Sequence, residues 1–561
     1  MTKFLFTYII KTVQSARHPS AKCGDGRSDK YKKGTVFMKS FRRAIALLLS
    51  LLMIALPLIA CGESGEDAAS GQITSTSGKN DRDDPANDPD APKIPADLDC
   101  EGAQIKFIVA NGDEMSRDPQ GKDLPQRSIT VDPDVDDMKY NVNKEVRDRN
   151  IRVEEELGVE IVLARNVDMG GLADVMKGVF ASDSYEFDVV AGYQYYDLGL
   201  AIGDNTGYFL NYKTIDSSEM YIDPSKPYWD EGLYNALSYN GAAYWITGDL
   251  SQTWVGSVYV TFVNKNLWEL YADKIAKVAG TSDIYEIIEN GKWTLDLLCD
   301  LSSLAWTDTN ANDKVDVEDN VGFLSYKPSI VNTAADGLTG GAHLTFTDTQ
   351  NGKPQVAFNT SRNAEFASKL YRLYFESNAC LVEYSSESYY LNTWAEGRSL
   401  FTVNVLSQTE MYLNDMTDDY YVVPCPKLNE EQKEYSAITH DNVTVFGIPR
   451  AVEQEDHVAA TTATLELMAY YSKKLVTPAY YDTALKERYS RDEKTGEMID
   501  MIRNSLYYDF VMLWSQRING VTHFFRENIG KRFASESSSK EKAWETSLKK
   551  LLNDIANSAY T

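Results

Sequence analysis

The sequence predicts an α/β fold with mixed sheets flanked by helices, and three stretches carry that prediction. Residues 104–191 read strand–helix–strand–helix–strand, at the spacing of parallel strands joined by crossover helices. A second strongly β segment, Ser257-Val-Tyr-Val-Thr-Phe-Val263, runs straight into Asn264-Lys265. A long, mainly helical tail then occupies about 453–555.

The elements follow in order. Gln104-Ile-Lys-Phe-Ile-Val-Ala110 is β by its branched and aromatic content. A helix is expected at about 139–157, with Val142, Val146, Val153 and Leu157 on one face and Gly158 ending it. Val159–Leu163 is a second strand, Leu172–Phe180 a helix, and Phe187–Ala191 a third strand. In such sheets ligands bind beyond the C-terminal strand ends, here Asn111-Gly-Asp-Glu114 and Gly192-Tyr-Gln-Tyr-Tyr196. Trp293-Thr294 opens an amphipathic helix reaching about Ala305, and the tail divides into helices at 455–472, 480–489 and 495–505.

Composition limits the function. The 561 residues carry a net charge of −27, and residues 1–61 hold 11 Lys and Arg against 2 Asp and Glu. The part after Cys61 is therefore more acidic still, which argues against nucleic acid and favours neutral or cationic ligands. Cys100, Cys299, Cys380 and Cys425 are widely spaced without a CxxC pair, so neither a metal framework nor a disulfide scaffold is visible. One bridge or unpaired buried thiols both fit. The five histidines show no HExxH spacing, and GxSxG, P-loop and GxGxxG-after-strand patterns are absent.

Met38–Cys61 places Lys39, Arg42 and Arg43 before the apolar run 44–58, and ends Leu-Ile-Ala-Cys61. This resembles a bacterial lipoprotein signal peptide with its lipobox, which implies lipidation of Cys61 and an extracellular, membrane-anchored location. A signal peptide begins with a short basic region, so Met38 is the expected start, with 1–37 untranslated or non-native. Residues 62–101, rich in Gly, Ser, Asp, Pro and Asn, are expected to be a disordered tether.

An ordered series of segments then resembles the bacterial extracellular solute-binding proteins of ABC importers, the maltose- and oligosaccharide-binding kind. The series comprises Arg147–Glu155, Tyr185–Val190, Pro227-Tyr-Trp-Asp230, Asn240-Gly241 to Gly248-Asp249, Phe262-Val-Asn-Lys265, Trp293-Thr294, Gly397–Phe401, Val423–Lys427 and Phe446-Gly-Ile-Pro449. The resemblance implies a two-lobed periplasmic-binding-protein-like fold of type II with hinge strands between the lobes. It places lobe one at 102–256 plus 399–438 and lobe two at 265–398 plus 440–561. It also implies a monomer of a Gram-positive cell envelope that closes around a ligand, an oligosaccharide by this reading, and passes it to permease subunits. No catalysis and no cofactor are required.

The candidate ligand-binding residues are Asp113, in a loop resembling that of maltose-binding proteins, and Tyr193, Tyr195 and Trp254 at strand ends or the hinge. Ser257, Asn404, Asp441 and Asn442 lie on expected crossover strands. Aromatic faces suit pyranose rings and Asp or Asn suits hydroxyls; the ordinary alternative for each is core, turn or hinge. The sharpest local motif is Asp308–Asp319. Asp308, Asn310, Asn312, Asp316 and Asp319, with the Lys314 carbonyl, match the oxygen positions of an EF-hand loop. Asp313 stands where Gly is usual and Asp319 where Glu is usual, so a structural Ca2+ loop and an Asx-rich turn both remain open. Three competing functions are a surface glycoside hydrolase using two carboxylates, a binding protein for peptides or other non-sugars, and an interaction lipoprotein without a small ligand.

Overall fold

The computed structural model describes residues 88–110, 128–131, 141–168, 170–202, 208–316, 318–326, 334–377, 380–383, 387–408, 416–481 and 493–558. The expectations for Cys61, the signal segment, most of the tether, Asp113 and the 482–489 part of a tail helix lie outside the described residues.

The first sheet is built from β1 (Ala103–Ala110), β2 (Val159–Val167) and β3 (Val189–Tyr193), linked through α1 (Asn141–Leu157) and α2 (Leu172–Ser182). β1 pairs in parallel with both β2 and β3. Alternate residues of β1 feed different cores. Ile105, Phe107 and Val109 join Val153 and Leu157 of α1, while Ile108 and Ala110 join Leu172 and Met176 of α2. Burial on both faces is why β1 reads as a nearly unbroken apolar run. Gly158 ends α1 at φ +63°, the left-handed geometry that favours glycine, and Asp99 Oδ1 would lie 2.6 Å from a Cβ there.

After β3 come the short helix α3 (Gln194–Asp197), α4 (Glu231–Leu237) and α5 (Gln252–Gly256). Asp230 caps α4 by accepting from Leu233 N, and Ser251 caps α5 by accepting from Trp254 N. The chain then enters a second sheet. Its strands are β4 (Tyr259–Asn264), β5 (Val321–Tyr326), β8 (Cys380–Glu383), β9 (Ser399–Val405) and β10 (Tyr420–Val423), in the order β10-β4-β9-β5-β8. α6 (Leu295–Leu304), capped by Thr294, and α7 (Ala334–Gly341) belong to this half. A separate hairpin joins β6 (Thr347–Gln350) to β7 (Lys353–Val356). The chain returns through β11 (Thr444–Gly447), which pairs antiparallel with β3. It continues as α8 (Val458–Tyr471), α9 (Glu493–Asn504), α10 (Phe510–Leu513), α11 (Phe524–Asn528) and α12 (Phe533–Ser558).

Two expectations are corrected. Segment 399–438, expected in lobe one, instead supplies β9 and β10 to the second sheet, where β9 pairs with β4 and β5. Segment 440–561, expected wholly in lobe two, gives β11 to the first sheet, and α8 packs on α1 and β1. A fully buried strand carries the same apolar pattern whichever sheet it joins, so its partners are not written locally.

The second correction concerns the tether. Its last residues are docked rather than free: Ala91, Ile94, Leu98 and Cys100 pack against the first-sheet core. Tyr470 donates to Asp88 at 2.9 Å, and Lys474 pairs with the same carboxylate. That lysine holds the Asp88 carboxyl down at about 2. A Pro- and Asp-rich average conceals a few well-spaced apolar anchors.

Among the described residues Cys100, Cys299, Cys380 and Cys425 are free thiols. No helix among them is long and apolar enough to cross a membrane.

Candidate functional site

The two sheets meet where three segments run side by side. Ser407 N donates to Gly256 O at 2.8 Å and Leu406 N to Val258 O at 2.9 Å. On the other flank Tyr259 N donates to Ile438 O at 3.2 Å and His440 N to Ser257 O at 2.8 Å. The last of these segments is also tied to the C-terminal end of β3, because Tyr195 N donates to Asp441 O and Gln194 N to Val443 O, both at 3.0 Å. Strand ends of the first sheet thus abut the crossover strands, the place where α/β sheets hold ligands.

A cavity of about 80 Å3 opens at this junction. The first sheet contributes Gln194, and the crossover contributes Tyr259, His440 and Asp441. α7 contributes Asp336 and Thr339. The far wall is Tyr507, Tyr508 and Asp509 leading into α10, followed by Thr522 and Arg526. α7 can lie this close because it is glycine-rich: a Cβ on Gly337 would stand 2.6 Å from Val403, and one on Gly341 2.6 Å from Cys425.

The polar lining is unevenly satisfied. Arg526 pairs with Asp336 at 3.0 Å. Burial works against the guanidinium charge, but Asp336 and then Asp441 outweigh it and raise its pKa. Asp509 is saturated. Its Oδ2 accepts from Phe346 N and Thr347 N at 2.9 and 2.8 Å, and its Oδ1 from Thr347 Oγ1 and Met512 N at 2.7 and 2.9 Å. By contrast Gln194 Oε1, His440 Nε2 and Arg526 Nε are buried without a hydrogen-bond partner among the described residues. His440 Nδ1 accepts from Asn442 N at 3.0 Å, which puts the proton of the neutral ring on Nε2. Three residues that line the cavity thus each carry a buried polar atom left unpaired among the described residues.

Among the described residues, the sequence-nominated positions gather around this junction, though of them only Asp441 lines the cavity. Tyr195 is half-buried, its ring stacked 5.5 Å from His523 beside the far wall. Tyr193 is buried against Tyr196, and burial followed by the Asp441 charge raises its pKa. Ser257 and Asn442 hold His440 from either side, through the Ser257 carbonyl and the Asn442 N–H. Asn404 is buried on β9 opposite Val260, its Oδ1 accepting from Val405 N at 2.8 Å. Trp254 does not line the cavity. Its Nε1 donates to Asp230 Oδ2 at 2.9 Å, Arg503 lies over its ring at 4.6 Å, and it packs with Val142, Val443 and Tyr480. Tyr508 donates to the same Asp230 carboxylate, so Asp230 holds both the hinge indole and one wall of the cavity.

Sequence reasoning missed Gln194, Asp336, His440, Tyr507, Tyr508 and Arg526. Gln194 and His440 adjoin nominated positions and were within reach. Asp336 stands as the one charge in Ala-Ala-Asp-Gly-Leu-Thr-Gly-Gly, a signal of its own. The 507–526 wall carries no motif.

The 308–319 loop lies away from the cavity lining. Asp308 accepts from Asn312 N and Asp313 N at 3.2 and 2.8 Å. Buried Asp319 accepts from Trp306 Nε1, Thr309 N and Asp316 N. Asp313 takes φ +60°, the turn geometry for which glycine is usual. Among the described residues no group of three or more His, Cys, Asp or Glu side chains is arranged to hold a metal ion.

No protein-family model matches the chain. No curated protein matches it either. Solved structures do. One is the galacto-N-biose/lacto-N-biose I-binding protein of the ABC transporter from Bifidobacterium longum, in complex with lacto-N-biose. It is 13% identical, with a TM-score of 0.51, over 82% of this chain and 98% of that one. A cyclo/maltodextrin-binding protein complexed with maltotetraose is 13% identical with a TM-score of 0.47, over 81% and 98%. The cyclic α-maltosyl-1,6-maltose binding protein from Arthrobacter globiformis is 13% identical with a TM-score of 0.47, over 81% and 100%. The first of these, together with two helix-flanked sheets joined by crossover strands, shows that the chain has the two-lobed periplasmic-binding-protein fold.

Proposed function

We infer that this chain is a non-enzymatic solute-binding protein that takes an oligosaccharide between its lobes and hands it to an ABC importer. The observation that carries the reading is one cavity walled by tyrosines and lined by Gln194, His440 and Arg526, each of which also carries a buried polar atom that no described residue pairs. A buried polar atom without a partner costs about 1–3 kcal/mol, so a site holding several is built for a ligand that both donates and accepts. Sugar hydroxyls do both, and tyrosine rings offer apolar faces to the sugar C–H groups. The lacto-N-biose bound by the Bifidobacterium longum neighbour agrees with this ligand class. Asp336 is committed to Arg526 and Asp509 to four donors, which leaves neither placed as a general acid. The lipobox-like Leu-Ile-Ala-Cys61 supports a lipid anchor on the outer face of the cytoplasmic membrane.

A melting-temperature screen against neutral oligosaccharides and peptides tests the reading. The expected result is a saturable shift with a glycan, compaction in solution scattering and no product release. A shift with peptides alone would replace the sugar, and steady glycan cleavage would replace the role. Cys61→Ser is expected to release the protein from the membrane fraction or leave it unprocessed; unchanged fractionation and processing would remove the anchor.

A further inference from the structure

The charges lining the cavity bear on which sugars it accepts, and this inference rests on the sugar-binding reading above. Three carboxylates, Asp336, Asp441 and Asp509, line it against one guanidinium, Arg526. The three carboxylates are not equivalent. Asp336 is paired with Arg526, and Asp509 is saturated by backbone N–H groups and Thr347.

Asp441 is different. No described residue donates a hydrogen bond to its carboxylate. His440 Nδ1 lies 3.3 Å from its Oδ1, and that nitrogen already accepts from Asn442 N. Two lone pairs thus face each other, and neither holds the other. His523, across the wall, is no substitute cation: burial first and Arg526 second lower its pKa. The Asp441 side chain is 26% exposed and lines the cavity, beside Gln194, His440 and Arg526, each of which carries a buried atom unpaired among the described residues.

We propose that Asp441 is a specificity-determining residue that makes the cavity select its sugar by charge, favouring an oligosaccharide with a protonated amino group over a neutral one and rejecting acidic oligosaccharides. A hydroxyl and an ammonium both give the carboxylate a charge-assisted hydrogen bond, but only the ammonium adds a full opposite charge. A uronate would bring a further negative charge into a site where carboxylates already outnumber the one guanidinium, and like charges at this range are strongly unfavourable. Arg526 does not reverse this, because Asp336 already holds its guanidinium at 3.0 Å.

The experiment uses three pools of short, mixed-linkage oligosaccharides matched in length: neutral, amino and uronic-acid. Each is titrated at about pH 6, where amines are protonated and uronates ionised. The readout is the concentration giving half the maximal melting shift. The amino pool is expected to act at least about tenfold below the neutral pool, and the acidic pool at least about tenfold above it. Asp441→Asn, which keeps the shape and removes the charge, is expected to bring amino and neutral pools within about threefold. Acidic sugars binding as well as neutral ones, or an unchanged ranking in the variant, would overturn the charge selection and leave the sugar reading standing. Should the variant not fold, the wild-type ranking decides alone. Failure of all three pools would overturn the sugar reading, and the charge selection with it.

Discussion

Two buried polar clusters in this protein look alike in composition and differ in one respect. In α8, Glu466 is fully buried, yet Tyr228 donates to its Oε1 at 2.5 Å and Trp229 Nε1 to its Oε2 at 2.6 Å. Asp223 N adds a longer bond to Oε2 at 3.3 Å. That cluster is closed on itself and ties the first-sheet loops to a helix buried almost all round. At the lobe junction Gln194, His440 and Arg526 are also buried, and an atom of each is left unpaired among the described residues. A saturated buried network specifies structure, whereas an unsaturated one at a cavity is free to be completed by something else.

The largest effect is expected at the hinge. Trp254→Ala removes an indole packed between Asp230, Arg503 and the α1 face, and should destabilise the fold by about 4 kcal/mol. Denaturant unfolding measures it. A large loss of ligand affinity with stability unchanged would instead place Trp254 in the binding surface.

Next comes the closed network. Glu466→Ala leaves the Tyr228 hydroxyl and Trp229 N–H buried without acceptors and should cost about 3 kcal/mol, again read by unfolding. The same residue predicts a pH dependence. Burial, opposed by its two side-chain donors, pushes the Glu466 carboxyl from 4.5 up to about 7. A raised carboxyl pKa means the folded state favours the protonated form. Its contribution is therefore complete below about 4.5 and is lost as pH rises toward 7. The stability slope across that window should flatten in Glu466→Gln; an unchanged slope would assign it to other groups.

The open network should respond in the opposite sense. Gln194→Ala removes an atom the described fold leaves unpaired, so stability should hold while glycan binding weakens by about 2 kcal/mol; His440→Ala should weaken binding likewise but also cost about 1 kcal/mol of stability, because Asn442 N loses its acceptor. Calorimetry beside a melting curve separates the two quantities. A loss of stability without a loss of binding would move these residues into the structural class.

The smallest expected effect lies away from both clusters. If the 308–319 loop takes Ca2+, saturation at tenfold excess over Kd should stabilise the protein by about 1.4 kcal/mol, and Asp308→Ala should abolish that gain. A melting temperature unmoved by chelator would leave the loop an Asx turn.

Local pattern made the first sheet legible. The nearly unbroken apolar run of β1, the α1 stripe of Val142, Val146 and Val153, and Gly158 at positive φ are all short-range signals. The crossover was legible too, since Ser257, Asp441 and Asn442 do lie on it. What the chain did not announce was the sheet that β9, β10 and β11 join, or that 507–526 walls the cavity. Strand partnership is a long-range choice among equally apolar segments, decided by which crossover buries the most surface. Tyr507 and Arg526 become site residues only because α10 is pinned to the hairpin through Asp509, a contact with Thr347 spanning 162 positions of sequence. Side-chain type and spacing fix backbone preference and burial at short range; the meeting of distant, unremarkable residues around an unfilled polar cavity is a property of packing alone.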